Sequence, residues 1–141
     1  MGIVIALLSG ALMSIQGVMN TEVTKQSSIW TAAGFVQLSA FLLCGIMWFF
    51  SGRQPIGALW QGGTKYMLLG GVLGALITYT VIRSMDSLGP AQAALLIVVS
   101  QIIVAYGVEL FGLLGVEKAE FEWKKLLGAG IAIAGIIIFK K

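Results

Sequence analysis

The chain has 141 residues, 58% of them apolar and only 11% charged, where an ordinary soluble domain carries about 25% charged residues. That composition excludes a water-soluble globule. Nine Lys and Arg against six Asp and Glu leave a formal charge of +3, but these residues are scattered between apolar runs, singly or in pairs, and form no stripe that would grip nucleic acid. With no His in the chain, His-based acid/base catalysis, Ser-His-Asp chemistry and a zinc site are excluded, and the single Cys44 has no partner for an internal disulfide. No enzymatic activity, cofactor or metal is expected. The 19 Gly suit another purpose, because small residues let helices pack closely in lipid.

Crossing the hydrocarbon layer takes about 20 helical residues, with about 17 as a lower limit. Dividing the chain at its charges and turn residues leaves five such segments in one transmembrane domain spanning 1–141, at about 3–23, 30–50, 66–84, 90–114 and 123–139. The first, Ile3 to Val23, has only Met1-Gly2 before it and exceeds the roughly 7–15 apolar residues of a signal peptide, so a retained helix is expected. Ala6 stands where an N-myristoylation motif wants Ser or Thr. The second, Trp30 to Phe50, is stopped by Ser51-Gly52-Arg53-Gln54-Pro55. The stretch Pro55 to Gly63 is too short to cross, and is expected to lie along the interface or to form a mobile gate. The third runs from Tyr66 to Ser84, and the fourth, Pro90 to Leu114, places proline in its first turn, where the missing N–H has no partner to lose. The fifth, Trp123 to Phe139, is the shortest and is closed by Lys140-Lys141. Trp30, Trp48, Trp60 and Trp123 all lie near these ends, where an amphipathic indole prefers the interface.

Orientation normally follows an excess of Lys and Arg in cytoplasmic loops. With five spans, Arg53, Lys65, Lys118, Lys124 and Lys125 share one side and Lys25, Arg83, Lys140 and Lys141 the other, five against four. Such a balance predicts no strong preference and suits a chain that inserts in both orientations; a fixed topology set by a weak bias or by a partner is the alternative. Dual insertion matters because many transporters are inverted repeats rocking about a midplane site. Two antiparallel copies of a five-span chain supply both halves.

Gly10-Ala11-Leu12-Met13-Ser14-Ile15-Gln16-Gly17-Val18-Met19-Asn20 in the first span resembles the Gln-x-x-x-Asn opening of the YdcZ-like family of the drug/metabolite transporter superfamily. Gly70-Gly71-Val72-Leu73-Gly74-Ala75 resembles its third-helix Gly-Gly-x-x-Gly stretch, and Leu88-Gly89-Pro90-Ala91 through Gln101, Glu109-Leu110-Phe111-Gly112, Gly115, Trp123 to Gly128 and Ala134-Gly135 resembles its fourth and fifth helices. The likeness covers nearly the whole chain. It implies an all-α integral membrane protein of the prokaryotic inner membrane, with five transmembrane helices forming a half-unit of the ten-helix inverted-repeat fold, paired as a homodimer or with a paralogue. It implies transport but no ligand. Two positions depart from the pattern: Glu109-Leu110 stands where an Asp-His pair is expected, and Tyr66 where Trp is expected.

Strongly polar residues within lipid are costly and by default mark a cavity or pathway. Gln16 and Asn20, i and i+4 on the first helix, share one face; Gln101 lies mid-span in the fourth and Gln37 about two turns into the second. These amides, with Tyr79 in the third span, are candidate substrate contacts, and an interhelical hydrogen bond or plain packing is the structural alternative for each. Glu109 is the one carboxylate set inside a span end, about 8 Å from Leu114 at about 1.5 Å per residue. It is a candidate for proton or cation coupling, or else it reaches the interface or pairs with Arg83. Gly128, Ala132 and Gly135 recur at i, i+4 and i+7 of the fifth span, with Gly130 and Ala134 as a second pair, a seam suited to the dimer contact. Together these features point to a transporter of small polar or amphipathic metabolites or drugs, working by alternating access as an antiparallel homodimer. A non-transporting partner of a paralogue and a small dual-topology channel are the competing functions.

Overall fold

A computed structural model describes residues 1–61 and 68–139. Gly62-Gly63, Lys65, Tyr66 and Lys140-Lys141 lie outside the described residues, as do the side chains of Trp60 and Gln61. Five long helices carry the described chain: α1 Gly2–Lys25, α2 Ile29–Phe50, α3 Gly70–Leu88, α4 Pro90–Phe111 and α5 Trp123–Phe139. One helical turn, Ala58–Gln61, follows α2, and a 3-10 turn, Leu113–Gly115, follows α4. The chain divides into two compact units, Met1–Asp86 and Ser87–Lys141.

Local chemistry sets the breaks between helices. Ser28 adopts an extended conformation (φ −120°, ψ 157°), and its Oγ accepts the Thr31 N–H at 3.1 Å. An N-cap of this kind contributes about 1 kcal/mol. At the other end of α2 the chain leaves through Gly52 (φ +95°) and Arg53 (φ +50°), while the Trp48 indole N–H donates to the Gln54 carbonyl at 2.9 Å. The Arg53 guanidinium lies 3.9 Å over the Phe49 ring, so the terminal cation is held against the helix end.

In the first unit α1 packs on α2, and small residues let the helices approach. A Cβ on Gly17 would lie 2.6 Å from Met85 Cε and 3.2 Å from Val81 Cγ1 of α3. Buried around this contact are Asn20, Thr21, Ala32, Ala33, Ile82 and Met85. The Thr21 hydroxyl donates to the Gly17 carbonyl at 2.8 Å, which satisfies it inside its own helix. Large apolar side chains of this unit are on its surface: Ile3, Phe41 and Phe50 are all more than 70% exposed. Outward display of this kind on many residues marks a membrane-embedded surface. Helices α1, α2 and α4 are each long and apolar enough to cross a membrane; α3 and α5, at 19 and 17 residues, reach the lower end of the spanning length.

Two helices end elsewhere than expected. The third runs on past Ser84 to Leu88, because Ile82 and Met85, three residues apart, are both buried and extend its inner face across Asp86. Gly89 (φ +82°) then breaks the chain ahead of Pro90. The fourth stops at Phe111, short of Leu114, because Gly112 (φ +63°, ψ 37°) caps it in the left-handed conformation. In the second unit α4 packs on α5. The segment between them is clamped by Tyr106, whose hydroxyl accepts the Glu122 N–H at 3.0 Å and donates to the Glu122 carbonyl at 3.3 Å.

Candidate functional site

The hairpin of α1 and α2 carries a groove of about 620 Å³, within the size range of small-molecule sites. Two helical stripes line it, Leu12, Gln16, Met19, Asn20 and Val23 from α1 and Ala32, Phe35, Val36 and Ser39 from α2, with Met13 and Ile15. Steps of three and four residues on both helices bring these side chains to facing surfaces. The walls are aliphatic and aromatic, and the only polar contributors are the amides of Gln16 and Asn20 and the Ser39 hydroxyl. Ser39 already donates to the Val36 carbonyl at 2.9 Å.

Asn20 is the unusual member. It is only 9% exposed, yet its side-chain amide makes no hydrogen bond among the described residues, although its backbone carbonyl accepts from Thr24. Among the described residues no side-chain N or O atom is both buried and without a partner, so the Asn20 amide stays open although most of the residue is covered. Asn20 lines the groove, which brings its open amide to the wall a bound molecule would touch. Gln16, one turn earlier, is exposed on the same face.

The other expected contacts are placed differently. Gln37 is half-buried and packs on α3, its Nε2 lying 3.0 Å from where a Cβ on Gly74 would sit. Tyr79 stacks on Trp30 with ring centroids 4.9 Å apart. Neither lines the groove. Gln101 is exposed on α4, in the second unit. The groove residues that sequence patterning missed are apolar ones, Phe35, Val36 and Met19 above all; the spacing of Ala32, Phe35 and Ser39 was the signal that would have found them.

In the second unit a groove of about 480 Å³ is lined by Ile102, Ile103, Tyr106 and Glu109 of α4 and by Lys125 and Leu126 of α5, among others. The Glu109 carboxylate lies 3.5 Å from the Lys125 ammonium, with the two side chains 45% and 42% exposed. Lys125 also lies 3.7 Å from Glu122 and 5.6 Å from the centre of the Tyr106 ring. Because α4 ends at Phe111, Glu109 stands only about 3 Å from the helix end at about 1.5 Å per residue, far shallower than an end at Leu114 implies. Lys125 is the basic neighbour that the return of the chain into α5 supplies. A half-exposed pair of this kind is worth at most about 1 kcal/mol.

Along α5, Gly128, Gly130, Ala134 and Gly135 are exposed and Ala132 is half-buried. A Cβ on any of the three glycines would meet nothing within 4 Å.

A family model described as "Putative inner membrane exporter, YdcZ" matches residues 1–138. No curated protein and no solved structure matches the chain.

Proposed function

Because the chain belongs to this family of inner membrane exporters, we propose that it is itself the exporter, moving small polar or amphipathic solutes by alternating access as an antiparallel homodimer. It is a multi-pass protein of the inner membrane. In this reading all five helices cross the bilayer, each copy is one half of a ten-helix drug/metabolite transporter fold, and the second copy supplies the inverted repeat on which alternation depends. The near-equal division of the basic residues supports insertion in both orientations. The open glycine seam of α5, from Gly128 through Gly130, Ala132 and Ala134 to Gly135, supports that helix as the dimer contact.

The observation that carries the reading is the α1–α2 groove lined by Asn20, a largely covered residue whose amide is open and makes no hydrogen bond among the described residues. Gln16 and Asn20 hold the solute, Gln37 and Tyr79 keep α2 and α3 in place around them, and Gln101 is a solute contact belonging to the second unit. Glu109 is the coupling group, with the Lys125 ammonium 3.5 Å away.

Proteoliposomes made from this chain alone test the proposal. Saturable solute uptake without a second polypeptide is the expected result. Flux that appears only when a paralogue is added would make the chain a partner subunit, and turnover well above about 10⁴ per second, beyond the usual range for a cycle with conformational steps, would make it a channel.

A further inference from the structure

We propose that the α1–α2 groove selects neutral amphipathic solutes, with an apolar body along Leu12, Met19, Phe35 and Val36 and one uncharged hydrogen-bonding group, an amide, carbonyl or hydroxyl, on the amide of Asn20. This deepens the reading of the groove as the solute site and rests on it.

Three observations narrow the class. None of the described residues lining the groove is charged. The nearest charges along α1, Glu22 and Lys25, pair with each other at the helix end, while Arg83 and Asp86 of α3 are exposed and outside the lining. A cation or anion entering the groove loses its hydration and meets no counter-charge, which is the costliest way to bury an ion. Ions are therefore selected against.

A plain hydrocarbon is selected against for the opposite reason. Filling the groove with an alkyl chain seals the Asn20 amide, open in the empty groove and without a partner among the described residues, away from any hydrogen bond. The amide carries both donors and an acceptor, so a solute carbonyl takes its N–H, a hydroxyl meets either its N–H or its Oδ1, and an amide meets both. Ser39 gives its hydroxyl hydrogen to the Val36 carbonyl and so offers a head group an acceptor only. An uncharged head on an apolar body is the chemistry left.

Photo-crosslinking on the purified full-length protein in nanodiscs tests the assignment, with diazirine-bearing decanamide as the probe and decanamide, decyltrimethylammonium and decanoate as competitors. Labelling is expected between residues 12 and 39, displaced by decanamide at about tenfold lower concentration than by either ion. N20L is expected to weaken labelling about tenfold, the scale of one lost hydrogen bond to a sealed amide, and N20D to reverse the preference in favour of decyltrimethylammonium. Circular dichroism and thermal unfolding of each variant establish that it is folded, and N20Q, which keeps an amide, is expected to retain part of the labelling. If the ions displace the probe as well as decanamide does, while labelling still falls in N20L, the solute class is wrong and the site stands. Labelling that is unchanged in both N20L and Q16L, in protein that still exports, overturns the site and the solute class together.

Discussion

Replacing Gly17 probes the contact on which the first unit is built. A Cβ there would sit 2.6 Å from Met85 Cε and 2.7 Å from Met85 Sδ, distances that no side chain tolerates without movement. For Gly17→Ala the movement is inexpensive, because the crowded atoms are the tip of a flexible methionine; an off-rotamer adjustment costs about 0.5–1.5 kcal/mol. Alanine also gains about 1 kcal/mol of helix propensity over glycine, so this variant is expected to be near neutral. Gly17→Leu adds branched atoms beyond the Cβ, and Val81 Cγ1 at 3.2 Å closes the other escape, so an overpacking cost of about 1–3 kcal/mol is expected. In a double-mutant cycle, Met85→Ala removes the obstructing sulfur and methyl, and G17L/M85A should be more stable than the sum of the single changes predicts by about 1 kcal/mol or more. Equilibrium unfolding of the purified protein in mixed micelles measures these differences. A fully stable G17L, or strict additivity with M85A, refutes the close α1–α3 approach.

Other outcomes follow from the same geometry. Tyr106→Phe removes both hydrogen bonds to the Glu122 backbone and should cost about 1 kcal/mol, seen as faster hydrogen exchange and proteolysis between residues 116 and 122. Glu109→Gln and Lys125→Gln, combined in a cycle, should show a coupling of at most about 1 kcal/mol that shrinks with added salt, because the pair is nearly half exposed; coupling that is larger and independent of salt would place the pair deeper. A protease-cleavable tag at the C-terminus should be cut from both faces of the membrane in comparable amounts, and cleavage from one face alone would end the antiparallel reading.

Much of the architecture was legible because charge is so scarce. With apolar runs of spanning length separated by Ser51-Gly52-Arg53, Gly89-Pro90 and Trp123-Lys124, the helix starts at Pro90 and Trp123 and the end of α2 at Phe50 were fixed by residues whose local effects do not depend on the fold. Two ends were not. Asp86 reads as a break, but the burial of Met85 carries the helix beyond it. Leu114 reads as apolar helix, but the left-handed Gly112 ends α4 first, and Leu114 itself takes a positive φ of 56°. That local event also moved Glu109 from an interior depth to the last turn.

The site was legible by half. Gln16 and Asn20 share a groove because i,i+4 spacing on one helix is a property of the helix alone. Gln37 and Tyr79 depend on which helix packs against theirs, and contacts with Gly74 and Trp30 belong to tertiary structure that no single span encodes. Lys125 was hidden for the same reason, since its place beside Glu109 comes from the chain doubling back through residues 112–122. The apolar wall of Phe35 and Val36 drew no attention because apolar residues within an apolar span carry no local signal of what they line.

The central claim is that one polypeptide carries solute through the groove that holds the Asn20 amide. Solute flux into proteoliposomes containing only this chain, compared between the wild type and Q16L/N20L reconstituted to the same density and dimer content, tests it most directly. The account predicts saturable flux in the wild type and flux reduced to the level of empty liposomes in the double variant; equal flux from both would contradict it.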